Sequence, residues 1–398
     1  MTKALRPLGL YLHIPFCRQK CSYCDFYSLP RQDPAVLDAY TAALCAHLSE
    51  TAPLAQMHTV DTVYFGGGTP SLLGVERIKT ILKTVQKHYH LAKSCEITLE
   101  ANPESVGDSR SLRRLRRAGV NRISLGVQSA DDRFLQALGR VHSFAQVQEA
   151  VAAIRKAKLK NLSLDLMYGL PEQTPEDWER SLEAALALEP EHLSCYGLKL
   201  EPNTPLAQQS GLSLPDDEQQ ARMYLMAVEK LREHGYEQYE ISNFAKQGFA
   251  SRHNLKYWRQ QEYAGFGPGA HSDFGEVRYA YERDLTAYLR GELRLSESER
   301  LPMRERSAEY VMLALRTSEG LDPAYFERSF RLRFAPMLPV LEQCERAGYA
   351  LETDGHWHLT PEGFLRSNPI ILALQDALAE EAARREEARA RGDFRIVP

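Results

Sequence analysis

Leu8-Gly-Leu-Tyr-Leu-His-Ile14 runs directly into Pro15-Phe-Cys17-Arg-Gln-Lys-Cys21-Ser-Tyr-Cys24, an apolar strand that delivers three cysteines to the loop at its carboxyl end. The same pattern of a short strand followed by a helix recurs downstream. Val60 to Phe65, Cys95 to Ala101, Arg122 to Val127, Leu162 to Met167 and His192 to Leu198 are short and rich in β-branched or aromatic residues, and helical periodicity separates them. Six such units predict an α/β domain with a parallel sheet. Helix starts are readable between the strands. Asp33-Pro34 and Thr174-Pro175 each set a capping oxygen before a proline at the first helical position, and Ser143 with Gln146 forms a capping box. Six units fit either an open doubly wound sheet or a partial barrel. The partial barrel is expected, because chemically suggestive residues follow nearly every strand at its carboxyl end, whereas a doubly wound sheet gathers them at one switch point.

The chain has 398 residues, 43% apolar and 26% charged, with a net charge of -4, which excludes a disordered or collagenous protein. A single core stops growing near 250 to 300 residues, so a division is expected close to residue 290: a barrel domain over 1–290 and a second domain over 291–398. With 49 basic against 53 acidic residues there is no global field to hold nucleic acid or an anionic membrane. No stretch is apolar enough to span a bilayer and Met1 to Leu10 lacks the apolar core of a signal peptide, so the protein is expected in the cytoplasm. Seven cysteines, three of them clustered and Cys45, Cys95, Cys195 and Cys344 scattered, do not read as a disulfide framework. Clustered thiols in a reducing compartment suggest metal.

Beyond residue 290 helical stretches at 304–316, 323–333 and 336–347 precede Tyr349 to Thr353, an Asp354-Gly355 turn and His356 to Thr360. Three helices and a hairpin outline a winged-helix-like α+β module. Residues 301–370 carry eight Arg, no Lys and ten Asp or Glu, and that deficit of positive charge argues against nucleic acid as a partner. The stretch from Ala379 to Arg391 holds only Ala, Glu and Arg, with Glu380/Arg384 and Glu381/Arg385 at i,i+4, and reads as a solvated helix.

Three thiolates are one short of a closed zinc site. They suit a 4Fe-4S cube with one iron left for an external ligand; a zinc knuckle would need a fourth donor, and His13, the nearest histidine, precedes the loop within the strand. The run Tyr11-Leu-His13-Ile-Pro-Phe-Cys17-x3-Cys21-x-Tyr23-Cys24-Asp25-Phe26, together with Gly66-Gly67-Gly68-Thr69-Pro70, resembles the radical S-adenosylmethionine (SAM) superfamily. Within it the resemblance is to the oxygen-independent coproporphyrinogen III dehydrogenase group and its haem chaperone branch, HemW, closely from Tyr11 to about His271 and more loosely beyond. It implies a partial (β/α)6 radical-SAM barrel, a 4Fe-4S cluster on Cys17, Cys21 and Cys24, and a free iron chelated by the amino and carboxylate groups of SAM.

The other strand ends suit such a ligand. Gly66 to Gly68 allows backbone to approach a bound amino acid, although a triple glycine is also a common tight turn. Glu100 can accept from both ribose hydroxyls, or cap the turn that Asn102-Pro103 begins. By resemblance Gly67, Gly68 and Thr69 join Glu100, Gln128, Arg140 and Asp165 at the SAM site, with Tyr11 and Tyr23 flanking the cluster; Arg140 also reads as an exposed arginine at a helix start. Arg252-His253-Asn254-Leu-Lys-Tyr257-Trp258, followed by Gly265-Phe-Gly267-Pro-Gly269, resembles a His-Asn-x-x-Tyr-Trp motif of the family. Haem iron takes a histidine nitrogen, so His253 is a candidate haem ligand; the alternative is that His253 and Asn254 fix the glycine-rich loop by hydrogen bonds. Cys195 and Tyr196 could face the porphyrin, while Cys45 and Cys344 on helical faces read as core.

Two activities of different classes fit these residues: oxidative decarboxylation of coproporphyrinogen III, or carriage of haem to haem-requiring proteins, respiratory membrane proteins among them, with transient docking at the inner face of the membrane. The dehydrogenase branch has a fourth Cys where this chain has Phe26, and a longer segment before the cluster motif. Both departures favour the haem chaperone, for which no catalytic residue is expected. Oligomeric state is not legible in the sequence.

Overall fold

The computed structural model describes residues 5–30 and 33–390, with side chains to Arg384. It divides into two units, one made of residues up to 237 with 242–256 and 261–300, the other of 238–241, 257–260 and 301 onward. The division after residue 300 lies beyond the expected 290, because Leu295–Glu299 still pairs with the sheet of the first unit.

Six parallel strands form the heart of the first unit: β1 (Arg6–Ile14), β2 (His58–Gly67), β3 (Leu91–Ala101), β4 (Arg122–Gln128), β5 (Asn161–Tyr168) and β6 (His192–Gly197). They are hydrogen-bonded in consecutive order, with no reversal, which separates this fold from a doubly wound sheet. Between and after them lie α1 (Pro34–Thr51), α2 (Gly74–His88), α3 (Ser109–Ala118), α4 (Asp132–Ala137), α5 (Phe144–Lys156), α6 (Pro175–Leu186) and α7 (Asp217–Glu233). Thr174 and Ser143 form capping boxes; Asp33 sits at the N-cap of α1 but its side chain makes no capping bond, contrary to the sequence reading, and Pro34 alone shapes that start. The sheet does not close on itself. β6 takes the antiparallel β7 (Asn243–Ala245) on its free side, while β1 takes β8 (Tyr263–Phe266) in parallel, followed by antiparallel β9 (His271–Phe274), β10 (Val277–Tyr281) and β11 (Leu295–Glu299).

Strand parity assigns one face to packing and the other to chemistry. Leu8, Leu10, Leu12, Val63, Phe65, Ile97, Leu99, Ile123, Leu125, Leu162, Leu164 and Leu193 belong to one continuous buried core, where each large apolar side chain contributes roughly 1.5 to 3 kcal/mol. The alternate positions Thr62, Glu96, Thr98, Arg122, Ser124, Ser163, Asp165, His192 and Ser194 are polar; apart from the partly buried Asp165 they are also buried. Buried polar groups must be partnered, and these largely partner one another: Ser163 Oγ and His192 Nδ1 lie 2.8 Å apart, as do Thr62 Oγ1 and His253 Nδ1.

Helix α8 (Arg252–Trp258) is fixed against this polar layer. Glu96 accepts from the backbone N–H groups of Arg252 and His253 at 3.3 and 3.2 Å, and the buried Lys256 ammonium meets Asp61 at 2.7 Å. Gly9 is required beneath it, since a Cβ there would lie 2.8 Å from Lys256 Cδ.

Burial holds His253 neutral, its pKa lowered to about 3, and His47 likewise to about 4 between the hydroxyls of Tyr288 and Tyr281; His192 is also pushed well down. The unfolded chain takes up these protons below about pH 6.5 while the fold does not. The stability these groups contribute is therefore present above pH 6.5 and lost as the pH falls, at up to about 1.4 kcal/mol per histidine per pH unit. His13 is held neutral in the same way, its pKa lowered by burial to about 4, so thermal melts between pH 7 and 4.5 are expected to show this decline and His47→Gln to lessen its slope by about a quarter; an unchanged slope would exclude His47 as a contributor.

In the second unit α10 (Met303–Ala314), α11 (Pro323–Phe330) and α12 (Leu338–Arg346) precede the hairpin β12 (Ala350–Thr353) and β13 (His356–Leu359); α9 (Leu285–Leu289) belongs to the first unit. Helix α11 stops at Phe330, short of the expected 333, because Arg331 turns left-handed at φ 54°. Asp354 and Gly355 take φ 53° and 83°, the paired positive values of a two-residue hairpin turn. Leu321 adds a bridge to Trp357, completing the winged-helix pattern. After α13 (Pro361–Phe364), α14 (Ser367–Ala390) buries Ile370, Ile371 and Leu374. Arg384 lies 3.7 Å from Glu381 at i,i+3 and not in the expected pair with Glu380; Arg385 and Arg391 lie outside the described side chains. No helix among the described residues is long and apolar enough to cross a membrane.

Candidate functional site

The cysteine loop is held at both ends. Phe16 and Leu29 pair in a two-residue ladder, Leu29 N–H donates to Pro15 O at 2.8 Å, Ser22 N–H to Leu138 O at 3.1 Å, and Leu206 N–H to Ser22 O at 2.9 Å. Cys17, Cys21 and Cys24 are free, half-buried thiols that line one cavity of about 360 Å³ at the carboxyl ends of β2 to β6. Two of them receive hydrogen bonds: Thr69 Oγ1 approaches Cys17 Sγ at 3.6 Å and Arg140 Nη1 approaches Cys21 Sγ at 3.4 Å. Burial pushes the Cys17 and Cys24 thiols up, with the Thr69 donor opposing it at Cys17. Among the described residues no three His, Cys, Asp or Glu side chains close around a single point; the thiols instead edge a larger space.

The glycine turn uses its missing side chains inward as well as toward the cavity. A Cβ on Gly68 would lie 2.7 Å from Phe16 O, and Gly68 and Thr69 N–H donate to Ile14 O and Phe16 O at 2.9 and 2.7 Å. Gly67, at φ 110°, turns its N–H to Glu100 Oε2 at 3.1 Å. Tyr64 Oη donates to Glu100 Oε1 at 2.7 Å. Burial pushes the Glu100 carboxyl up to about 7, with the neighbouring Asp165 adding to it and the Tyr64 and Gly67 donors opposing it. Asp165 is also raised by burial, against hydrogen bonds from Ser124, Ser163 and Ser194 at 2.9 to 3.2 Å.

Arg140, far from being a plain surface residue, joins three segments, with Nη2 donating to Asn102 Oδ1 at 2.7 Å and to Gly126 O at 2.9 Å. Asn102 Nδ2 in turn donates to Thr69 Oγ1 at 3.0 Å. Gln128 ends β4 at φ 67°, a left-handed conformation that costs a non-glycine residue of order 1 kcal/mol.

Of the predicted residues, Tyr23, Gly67, Gly68, Thr69, Glu100, Gln128, Arg140 and Asp165 share the cavity with the three cysteines. Tyr11 and His253 are not in its lining. Tyr11 bonds His13 Nδ1 through its hydroxyl at 3.1 Å and stacks behind Tyr64. His253, 1% exposed, stacks on Tyr64 at 5.0 Å and bonds Thr62; to meet an iron the ring would have to leave both. Cys195, expected to face a porphyrin, points into the core, whereas its neighbour Tyr196 lines the cavity, because adjacent strand residues take opposite faces. Cys45 packs partly against the core and Cys344 is half-buried.

Sequence reasoning missed Asn102, Arg122, Ser124 and Ser194 as cavity residues, and it read Asn254 as a motif residue that fixes a loop; all five line the cavity. A signal existed for two of them: Ser124 and Ser194 are polar positions at fixed parity in otherwise apolar strands.

The model of the radical SAM superfamily matches residues 11–185, and that of the HemN C-terminal domain residues 301–366. The chain is 38% identical over 374 residues to the heme chaperone HemW of Escherichia coli K12, an overlap of 92% of this chain and 98% of that one. It is 35% identical over 371 residues to the heme chaperone HemW of Bacillus subtilis 168, covering 91% and 97%. The solved structure of coproporphyrinogen III oxidase (HemN) from Escherichia coli, a radical SAM enzyme, matches with a TM-score of 0.81 over 94% of this chain and 91% of that chain at 24% identity, which establishes a shared fold. Identity of this extent, along nearly the whole of both chains, shows that the chain belongs to the radical SAM superfamily and, within it, to the HemW family.

Proposed function

We propose that this protein is a haem chaperone that binds haem and delivers it to haem-requiring proteins, respiratory membrane proteins among them, on a scaffold carrying a 4Fe-4S cluster and SAM. The observation that carries this reading is the near full-length identity to proteins named heme chaperone HemW. The donor set supports the cofactors: three thiols on one loop, two of them receiving hydrogen bonds, edge the same cavity as Glu100, Gln128, Arg140 and Asp165.

Cys17, Cys21 and Cys24 would hold the cluster. When bound, cluster and SAM together supply one-electron cleavage of a carbon–sulfur bond. Glu100 as a carboxylate would accept from the ribose hydroxyls, while Tyr64 and Gly67 keep both of its oxygens oriented. Arg140 would hold negative charge at Cys21 and tie it to Asn102. Asp165 and Gln128 would meet the polar groups of the nucleotide, and Tyr23 the edge of the cluster. Tyr11 and His253 act on this site through Tyr64, and His253 is assigned to bracing α8 and not to iron.

The test is a haem titration of the reconstituted protein beside an anaerobic incubation with coproporphyrinogen III, SAM and reductant. Haem binding without protoporphyrinogen is expected. Protoporphyrinogen formation would overturn the chaperone reading in favour of the dehydrogenase.

A further inference from the structure

A tetrapyrrole is a flat apolar plate with carboxylates along one edge, and the floor of the cavity does not suit it. Glu100, Asp165, Ser124, Ser194 and Arg122 form a polar bed there, and about 360 Å³ lies at the small end of the range for ligand pockets. A nucleotide and an inorganic cluster would leave no room for a macrocycle behind them.

The mouth of the same cavity is different. Phe26 is 65% and Tyr196 40% exposed. Among the described residues they are the two aromatic side chains in the set of exposed large hydrophobics, and both line this cavity. An exposed aromatic ring presents a flat apolar face that a planar apolar partner can cover. Phe26 closes the cysteine loop that follows β1 and Tyr196 lies next to the end of β6, so the two come from opposite ends of the order of the six parallel strands. Cations stand on the same loop: Arg18 and Lys20, between the first two cysteines, are exposed.

We propose that the cargo tetrapyrrole is seated at this mouth, its plane against Phe26 and Tyr196 and its propionates directed to Arg18 and Lys20. This seat rests on the haem chaperone reading above and makes Phe26, which stands where the dehydrogenase branch has a fourth cysteine, a determinant of cargo binding.

The experiment is a haemin titration of the full-length chain followed by Soret absorbance, comparing wild type with Phe26→Ala/Tyr196→Ala and with Arg18→Glu/Lys20→Glu. Both side chains of the first pair are exposed, so the fold is expected to survive, as circular dichroism melts would show; Phe26→Leu/Tyr196→Leu keeps an apolar side chain at each position while removing both rings and the Tyr196 hydroxyl. The aromatic pair variant is expected to bind about tenfold more weakly, and the charge-reversal variant to lose affinity together with its salt dependence. Wild-type binding with unchanged affinity in both aromatic variants would overturn the seat and leave the chaperone reading standing. Absence of haemin binding by the wild type would overturn the chaperone reading itself, and the seat with it.

Discussion

Anaerobic reconstitution of Cys17→Ala/Cys21→Ala/Cys24→Ala is expected to leave below roughly a tenth of the iron and sulfide that the wild type takes up. The loss would be one of ligands and not of structure. The loop is anchored by backbone, through Phe16 paired with Leu29 and Ser22 tied to Leu138 and Leu206, and Arg140 keeps its bonds to Asn102 and Gly126 O once the Cys21 sulfur is gone. Half-buried thiols contribute little packing, so each alanine should cost no more than about 1 kcal/mol of stability. Equal iron uptake by wild type and variant, or zinc in place of iron in protein purified without oxygen, would refute the cluster assignment.

Glu100→Gln is expected to weaken SAM binding by roughly 10- to 100-fold, the range set by losing hydrogen bonds to a charged acceptor. The pH dependence identifies the cause. With the carboxyl raised to about 7, wild-type affinity should climb toward pH 7 and level off above it, whereas the Gln variant should be flat. Stability moves the other way. A carboxyl whose pKa is higher in the fold than in the unfolded chain burdens the fold above that pKa; the burden is absent below about pH 4.5 and complete above about pH 7. At pH 8 the variant should therefore melt higher than wild type, by at most about 3 kcal/mol. The gain is trimmed because the amide nitrogen would face a donor, Tyr64 Oη or Gly67 N–H. Calorimetric SAM titrations and melts at pH 5 and 8 read both effects; a Gln variant that binds SAM as wild type does, at every pH, would remove Glu100 from the site. Glu100 also offsets part of the acid sensitivity of the buried histidines, since acidification relieves it while burdening them.

The six core strands could be read from sequence because each is a short run whose apolar positions alternate or cluster within six to eleven residues, and the cysteine loop because its spacing is local. What escaped depends on partners far along the chain. Asn102 reads as the start of a turn, and it is that, yet its side chain also links Thr69 to Arg140 across three strand ends. Arg122 looks like a strand-opening surface residue and is instead 1% exposed beside two carboxyls. Cys195 and Tyr196 were read together, although strand parity sends them to opposite faces. The strands β8 to β11 are four or five residues long; β8 is placed by β1, more than two hundred residues earlier, and β9 to β11 follow from it as successive antiparallel neighbours. The same distance hides the role of His253, whose surroundings come from β1 and β2.

Helix α8 and strand β8 complete walls begun by the first two hundred residues, and this bears on how the molecule is made. As the nascent chain leaves the ribosome, all three thiols and six strands emerge before Asn254 can supply its part of the cavity lining, and before Tyr263–Phe266 can cover β1. Until then β1 is a naked apolar edge, the kind of surface that recruits stray chains. A fragment ending before residue 252 would thus be no miniature of the protein but an aggregation-prone intermediate, one wall of its cavity still unmade.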